Sequence, residues 1–141
     1  MSKRRKKNNM ENNYNIKMDT PDGKKLLDDC EILNVVTSTG AMGIMAKHLP
    51  LVAVLEISHL EYKKGKEVFH YSIGGGILNV QKDETIILVE SFEKPSEIDL
   101  NRALASKERA EKRISSNDPN IDLKRAEVAL KRAINRISLV K

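Results

Sequence analysis

The chain has 141 residues, of which 25 are Lys or Arg and 20 are Asp or Glu, so its formal net charge is +5. That length suits one ordinary domain or two small ones, and 40% hydrophobic residues exclude a wholly disordered or collagen-like chain. No apolar run approaches the roughly 18 residues that a membrane helix needs, and we expect no secretory signal. The single cysteine, Cys30, has no partner for an internal disulfide, so packing must hold the fold.

The positive charge lies at the two ends of the chain. Residues 1–9 carry five bases and no acid, residues 10–97 carry 9 bases and 14 acids, and residues 98–141 carry 11 bases and 6 acids. Because like-charge runs are usually disordered, we expect residues 1–12 to be a basic disordered extension. Three interpretations stay open: an electrostatic arm for RNA, DNA or anionic lipid, a solvated extension, and an upstream start codon with Met10 as the working one.

Between residues 13 and 95, apolar and polar residues alternate over short runs, as is typical of β-strands. Turn residues separate these runs, for example at residues 21–23. The run at residues 51–57 is apolar on both faces and predicts a strand buried on both sides. The glycine triplet at residues 74–76 predicts a bend or bulge where sheets meet. The first part of the chain is therefore predicted to be a β-sandwich.

Residues 96–141 have helical periodicity instead. A capping-box pattern at residues 96–99 predicts a helix that runs to about residue 115. Asp118 and Pro119 predict the start of a second helix, with an apolar stripe formed by Leu123, Ala126, Leu130, Ala133, Ile137 and Val140. The short connection predicts an antiparallel hairpin, so the fold class is α+β.

Two of the six residues of this stripe are alanines, and the first helix contributes mainly Ala103, Ala110 and Ile114. Alanine in place of leucine forgoes roughly 2–5 kcal/mol at a well-packed site. We therefore expect a weakly held hairpin that docks on the sandwich or on a partner and can leave it.

Arginines recur at helical spacing on both predicted helices. Arg102 and Arg109 are seven residues apart, as are Arg125 and Arg132, and Arg136 lies one turn beyond Arg132. Like charges four residues apart cost a few tenths of a kcal/mol, and a phosphate-bearing polyanion between the helices would remove that cost. A solvated polar face is the alternative interpretation.

Catalytic and metal sites are not predicted. His48, His59 and His70 fit no zinc spacing, and no nucleophile with a paired base stands out. With 4% aromatic residues, a base-stacking platform is not expected either.

Several motifs occur in the order typical of one family. The chain resembles the epsilon subunits of bacterial F-type ATP synthases over roughly residues 13–141. The resemblance rests on Asp19-Thr20-Pro21-Asp22-Gly23, on Gly40-Ala41-Met42-Gly43-Ile44 followed by His48-Leu49-Pro50-Leu51, on Gly75-Gly76-Ile77-Leu78-Asn79-Val80, and on Ile98-Asp99-Leu100-Asn101-Arg102-Ala103, Lys107-Glu108-Arg109-Ala110 and Arg125-Ala126-Glu127.

The resemblance implies a sandwich of about ten strands over residues 13–95 and a helical hairpin over residues 96–141. It implies a non-catalytic rotor subunit in the central stalk, peripheral to the cytoplasmic face of the bacterial plasma membrane. Its partners would be the gamma subunit, the c-ring and the alpha/beta catalytic head, with membrane contact only through the complex and no nucleic acid. The implied contact loop with gamma and the c-ring comprises Gly40, Ala41, Met42, Gly43 and His48. Extension of the hairpin into the head would inhibit ATP hydrolysis.

In Bacillus-like members of this family the folded hairpin binds ATP as a regulatory ligand, and no cofactor is required. Carried over by position, the site would comprise Glu93, Asp99, Arg102, Arg109, Arg132 and Arg136. Two features depart from the pattern: Ala41 stands where many relatives have an acidic residue, and Ala46-Lys47 stands where Pro-Gly is common. The alternative function is a basic nucleic-acid-binding module that uses residues 1–9 and the hairpin.

Overall fold

The computed structural model describes residues 12–141. Residues 1–11 lie outside the described residues, so the disordered extension stays a prediction. The chain divides into two compact units between Phe92 and Glu93. No helix in the described part of the chain is long and apolar enough to cross a bilayer.

Short alternating runs pair into one continuous hydrogen-bonded sheet. The described residues contain eight strands: β1 (Tyr14–Asp19), β2 (Lys25–Cys30), β3 (Ile32–Thr37), β4 (Gly40–Met45), β5 (Leu51–Lys64), β6 (Glu67–Val80), β7 (Glu84–Val89) and β8 (Phe92–Glu93). Their order is β2-β1-β7-β6-β5-β3-β4, with β8 paired to β6 outside this path. The β1–β7 pair is parallel, whereas β5 and β6 form a long antiparallel ladder from Leu51–Val80 to Lys64–Glu67.

Glycines interrupt this ladder without ending the strand. Pairing passes from Leu55–Gly76 to Ile57–Gly74, and Gly75 between them has φ +86°. A Cβ at Gly76 would overlap the Leu88 carbonyl oxygen, so only glycine fits there. Strands that bend in this way can pass from one layer of a sandwich to the other. The β-sandwich prediction is confirmed. The described residues contain eight strands where about ten were expected, because β5 and β6 are long strands of 14 residues that are each counted as one.

Large apolar side chains form the core of the first unit. Those with less than 2% exposure include Ile16, Met18, Leu33, Ile44, Leu60, Tyr62, Ile73, Leu78 and Ile87. The Tyr62 ring stacks on Phe69 with a centroid distance of 4.8 Å. Its hydroxyl donates to Asp28 Oδ2 at 2.7 Å, and Lys64 Nζ donates to Asp28 Oδ1 at 2.6 Å. At the edge of the core, the Asp28 carboxylate is therefore hydrogen-bonded to both Tyr62 and Lys64.

The second unit contains a 3₁₀ turn (Pro95–Glu97) and two helices in the described residues, α1 (Leu100–Ser115) and α2 (Leu123–Val140). The fully buried residues of these helices are all alanines: Ala103, Ala110, Ala126 and Ala133. The predicted apolar stripe therefore has its deepest burial at its smallest residues. The α+β class is confirmed.

Both predicted helix starts are wrong. The capping box expected at residues 96–99 is displaced, because residues 95–97 form the 3₁₀ turn and Glu97 Oε1 accepts from Lys94 N at 3.1 Å. Asp99 is the N-cap of α1, and its carboxylate accepts from Arg102 N at 3.1 Å.

Asp118 does not begin the second helix either. Its Oδ1 accepts from Asn120 N at 2.9 Å, and its carbonyl accepts from Ile121 N at 3.2 Å, so it closes a turn. Asp122 caps α2 instead, through Arg125 N at 3.0 Å. Asp118 and Asp122 carry the same capping chemistry, and Pro119 favours Asp118 in the sequence although Asp122 is the N-cap in the structure.

Candidate functional site

The candidate site belongs entirely to the second unit, residues 93–141. Arg102 and Arg109 lie two turns apart on α1 and therefore share one of its faces. Arg136 and Arg132 lie one turn apart on α2. Glu93 ends β8, and Asp99 lies between the 3₁₀ turn and α1. Two helices and the segment that leads into them thus supply all six predicted residues.

Five of these six residues line a single cavity of about 340 Å³. Its wall consists of Glu93, Glu97, Ile98, Asp99, Arg102, Ala103, Ser106, Arg109 and Arg136. Sites for small molecules typically measure 300–1,000 Å³, so this cavity lies at the small end of that range.

Glu93 and Arg136 form an ion pair across the cavity wall. Arg136 Nε donates to Glu93 Oε1 at 2.6 Å, and the two side chains are 30% and 25% exposed. A short charge-assisted bond at partial exposure fixes the direction of both groups. The pair joins Glu93 to α2 within the second unit.

The other carboxylates of the wall bond to backbone. Asp99 accepts from Arg102 N and stabilises the start of α1, whereas Glu97 accepts from Lys94 N and stabilises the 3₁₀ turn before it. Arg109 Nη2 donates to Ser106 Oγ at 3.1 Å, which is one turn earlier on the same helix. The wall therefore places three guanidinium groups beside three carboxylates that already have hydrogen-bond partners.

Arg132 is the predicted residue that does not line the cavity. Its Nε is buried and has no hydrogen-bond acceptor within the described residues. A buried guanidinium donor without an acceptor is unfavourable, because it has lost water and gained no partner.

This arrangement suits the binding of a small anion. Guanidinium groups bind phosphate oxygens through paired donors. No group of three or more His, Cys, Asp and Glu side chains in residues 12–141 is arranged to hold a metal ion. The chemistry that the wall offers is thus electrostatic recognition of a polyanion.

The second predicted set, the contact loop, is mostly not a loop. Gly40, Ala41, Met42 and Gly43 form most of β4, which lies at one edge of the sheet path and pairs with β3. Gly40 has φ +127° and its carbonyl accepts from Thr37 Oγ1 at 2.9 Å, so the turn before β4 is a tight one. Residues typical of a glycine loop here form a strand because each pairs with β3.

His48 is placed apart from β4, in the segment before β5. Its Nδ1 lies 2.7 Å from the Leu49 carbonyl oxygen. Two neighbouring apolar side chains, Met45 and Leu49, are 62% and 80% exposed. Neither was among the predicted contact residues, although both stand close to His48 in the sequence.

A row of apolar side chains also lies on the exposed face of the sheet. Val54 pairs with Ile77, and Ile77 pairs with Leu88. These side chains are 57%, 47% and 50% exposed. Such a row is a surface that a protein partner can cover. The prediction that residues 51–57 form a strand buried on both sides is therefore wrong, because Val52 and Val54 are 70% and 57% exposed. An apolar pattern on both faces did not distinguish this exposed face from a buried one.

Comparison with protein families follows the same division of the chain. Residues 13–95 match the model described as "ATP synthase, Delta/Epsilon chain, beta-sandwich domain". Residues 96–141 match the model described as "ATP synthase, Delta/Epsilon chain, long alpha-helix domain".

Two similar proteins are ATP synthase epsilon chains from bacteria. The chain is 45% identical over 121 residues to that of Halalkalibacterium halodurans, covering 85% of this chain and 91% of the relative. It is 41% identical over 122 residues to that of Bacillus licheniformis, covering 86% and 93%. These relatives give no support to the alternative of a nucleic-acid-binding module.

Among solved structures, the fold is similar to a chain of the Euglena gracilis mitochondrial ATP synthase, with a TM-score of 0.78 and 22% identity. That match covers 89% of this chain and 80% of the other. A chain from the central stalk and c-ring of the Tetrahymena thermophila mitochondrial ATP synthase matches with a TM-score of 0.56 and 18% identity, covering 89% and 92%.

Proposed function

The chain belongs to the ATP synthase delta/epsilon family, and from this premise we propose that it is a non-catalytic rotor subunit regulated by ATP. It couples the alpha/beta catalytic head to the c-ring through gamma, in an enzyme that links ATP synthesis to proton transport. Extension of its two helices opposes ATP hydrolysis, and bound ATP favours the folded hairpin. It lies peripherally at the cytoplasmic face of the bacterial plasma membrane and meets the membrane only through the complex.

The observation that carries the ATP proposal is the cavity lined by Arg102, Arg109 and Arg136. Its walls come from both helices and from the segment before them, so separation of the helices would take the wall apart. A ligand of this cavity must therefore bind the paired helices in preference to separated ones. Arg132 lies outside this wall, but its buried Nε has no acceptor within the described residues, and a polyanion that extends beyond the wall would supply one.

Linkage turns that preference into regulation. A ligand that binds only the folded hairpin stabilises it by RT ln(1 + [ATP]/Kd), which is about 2.7 kcal/mol at 100 times Kd. The hairpin seam is buried chiefly through alanines, so a contribution of this size can shift the balance between folded and extended helices.

The partner contacts rest on exposed apolar residues of the sandwich. Met45 and Leu49 lie near His48, and the row Val54, Ile77 and Leu88 lies on a sheet face. We assign the first group, with Gly40, Ala41, Met42, Gly43 and His48, to contact with gamma and the c-ring. Burial of either surface in the complex would remove apolar area from water.

Titration of the isolated protein with MgATP tests the site. Arg102→Ala and Arg132→Ala should each weaken binding about tenfold or more, because each removes a charge-assisted hydrogen bond to phosphate. Arg125→Ala removes the same charge from an exposed position that belongs neither to the cavity wall nor to the predicted site, and it should leave the affinity within about twofold. Unchanged affinity in both site variants would remove the assignment.

Deletion of residues 98–141 tests the inhibitory role. In a reconstituted ATPase at low ATP, the complex with the shortened chain should hydrolyse ATP faster than the complex with the full chain. Equal rates would show that the helices do not restrain hydrolysis. Recovery of both forms with gamma serves as the control that assembly is intact.

A further inference from the structure

Ser106 is the one hydroxyl-bearing side chain in the wall of the candidate cavity. It lies on α1 between Arg102 and Arg109, one turn from each. The residue is partly buried. Neither the family resemblance nor the helical arginine pattern assigns it a role.

The Ser106 oxygen restricts the orientation of the Arg109 guanidinium group. It accepts a hydrogen bond from Arg109 Nη2 at 3.1 Å. A free arginine side chain samples many rotamers, and holding one end of the guanidinium reduces that freedom before a ligand arrives. The remaining donors of the Arg109 fork then stay at the cavity wall.

The Ser106 hydroxyl proton has no acceptor within the described residues, since the bond from Arg109 is the only one that the Ser106 side chain makes there. A hydroxyl can accept one hydrogen bond and donate another at the same time. An anionic oxygen in the cavity would therefore receive donors from Ser106 and Arg109 together.

We infer that Ser106 is a positioning residue of the nucleotide site, which orients Arg109 toward the phosphates of the ligand. This inference rests on the proposed function, because it concerns the same cavity. It goes further because the contribution of Arg109 to the affinity would depend on its hydrogen bond to Ser106. The ligand class is a nucleoside polyphosphate, whose oxygens accept from both groups.

Calorimetric titration of the full chain with MgATP tests the inference. Ser106→Ala should raise Kd about three- to tenfold, and Ser106→Thr, which keeps the hydroxyl, should stay within about twofold of the wild type. Ser115→Ala is the matched control, because Ser115 lies on the same helix, is exposed, and donates to the Lys112 carbonyl instead. Helix content by circular dichroism should be equal in all three variants.

The decisive comparison uses Arg109→Ala as a second background. If Ser106 acts through Arg109, Ser106→Ala should cause no further loss in that background, and the two effects will not add. An equal loss in both backgrounds overturns the positioning role, as does unchanged affinity of Ser106→Ala in the wild type. Loss of binding in Ser106→Thr equal to that in Ser106→Ala also contradicts it. A wild-type protein that does not bind MgATP overturns the proposed function as well, so the two failures are distinguishable.

Discussion

The two units of this protein are packed in different ways. The sandwich core contains side chains as large as Tyr62, Leu60, Leu78 and Ile87, each with 1% exposure or less. In the described helices the fully buried positions are four alanines. Complete burial of a Leu or Ile side chain contributes about 1.5–3 kcal/mol, whereas an alanine contributes about the value of one methyl group.

Because of this difference in packing, we expect the sandwich to be rigid and the hairpin to open readily. A sandwich with a large core and a continuous ladder opens only at high free-energy cost, so it can present fixed surfaces to neighbours. The helices of the hairpin bury chiefly alanines against each other, so their separation costs little free energy of apolar burial. The proposed ATP site lies in the second unit, where a ligand can shift the equilibrium between paired and separated helices.

The largest effect is expected for a truncation in the sandwich core. Leu78→Ala, at a position with 0% exposure, should lower the free energy of unfolding of the sandwich by about 2–5 kcal/mol. Urea denaturation followed by tyrosine fluorescence measures it, since Tyr62 and Tyr71 lie in this core. Val54→Ala, at a position with 57% exposure, is the control and should change stability by less than about 0.5 kcal/mol. Similar losses in both variants would mean that the core is not closely packed.

A substitution in the helix seam should act on the other unit alone. Ala133 is 1% exposed, so Ala133→Leu introduces three carbon atoms where there is no room and should cost the paired helices about 1–3 kcal/mol. Amide exchange should accelerate in α1 and α2 and stay unchanged in β5 and β6. Ala105→Leu adds the same atoms at an exposed position of α1 and should leave exchange as in the wild type. Faster exchange throughout the sandwich would show that the units do not open separately.

A smaller effect is expected from the polar group at the edge of the core. Burial works to raise the pKa of Asp28, but hydrogen bonds from Lys64 and Tyr62 outweigh it and hold that pKa below its usual value. A carboxyl with a depressed folded-state pKa stabilises the fold above its unfolded pKa of about 3.9, and this contribution is lost as the pH falls below that value.

Asp28→Asn should therefore cost about 1 kcal/mol at pH 7 and reduce the loss of stability between about pH 4 and pH 2. Urea denaturation at several pH values measures both quantities. Asp83→Asn, in the turn between β6 and β7, is a control for the charge change. A pH dependence identical to that of the wild type would show that Asp28 does not contribute to acid sensitivity.

Much of the fold was predictable because it follows from periodicity. Alternation gave the strands, spacings of three and four gave the helices, and burial of Ala103, Ala110, Ala126 and Ala133 follows the predicted stripe. Helix starts were not predictable to the residue, because Asp118 and Asp122 carry the same capping chemistry. The loop predicted at residues 40–43 is part of strand β4, because glycine is permissive in either conformation.

The candidate site was predictable through residue type and order, and less so through contacts. Five of six predicted residues line the cavity, yet the Glu93–Arg136 pair joins residues 43 apart in sequence, which no local pattern reveals. Ser106 carries no signal of its own, since a serine in a helix is usually solvated. The side chain that orients Arg109 became visible only with its hydrogen bond.

The smallest change to the protein is the addition of one thiol to the hairpin, so that the reactivity of two buried thiols, one in each unit, can be compared. Cys30 is fully buried, and burial raises the pKa of its thiol to about 11, so little reactive thiolate is present at pH 8. Ala126→Cys adds a second thiol in the helix seam, at a position with 3% exposure, and should change stability by less than about 1 kcal/mol. Reaction of either thiol requires opening of the unit that contains it, and each 1.4 kcal/mol of opening free energy slows the reaction about tenfold.

The thiol introduced in the helix seam should therefore react faster than Cys30 by at least about a hundredfold, because the hairpin opens at a lower free-energy cost than the sandwich. Mass spectrometry of peptides after timed alkylation measures both rates in one sample. MgATP should slow the reaction of the seam thiol in proportion to the occupancy of the site, since a ligand of the closed hairpin reduces the population of the open one. Equal rates for the two thiols without nucleotide would contradict a weakly closed hairpin beside a rigid sandwich.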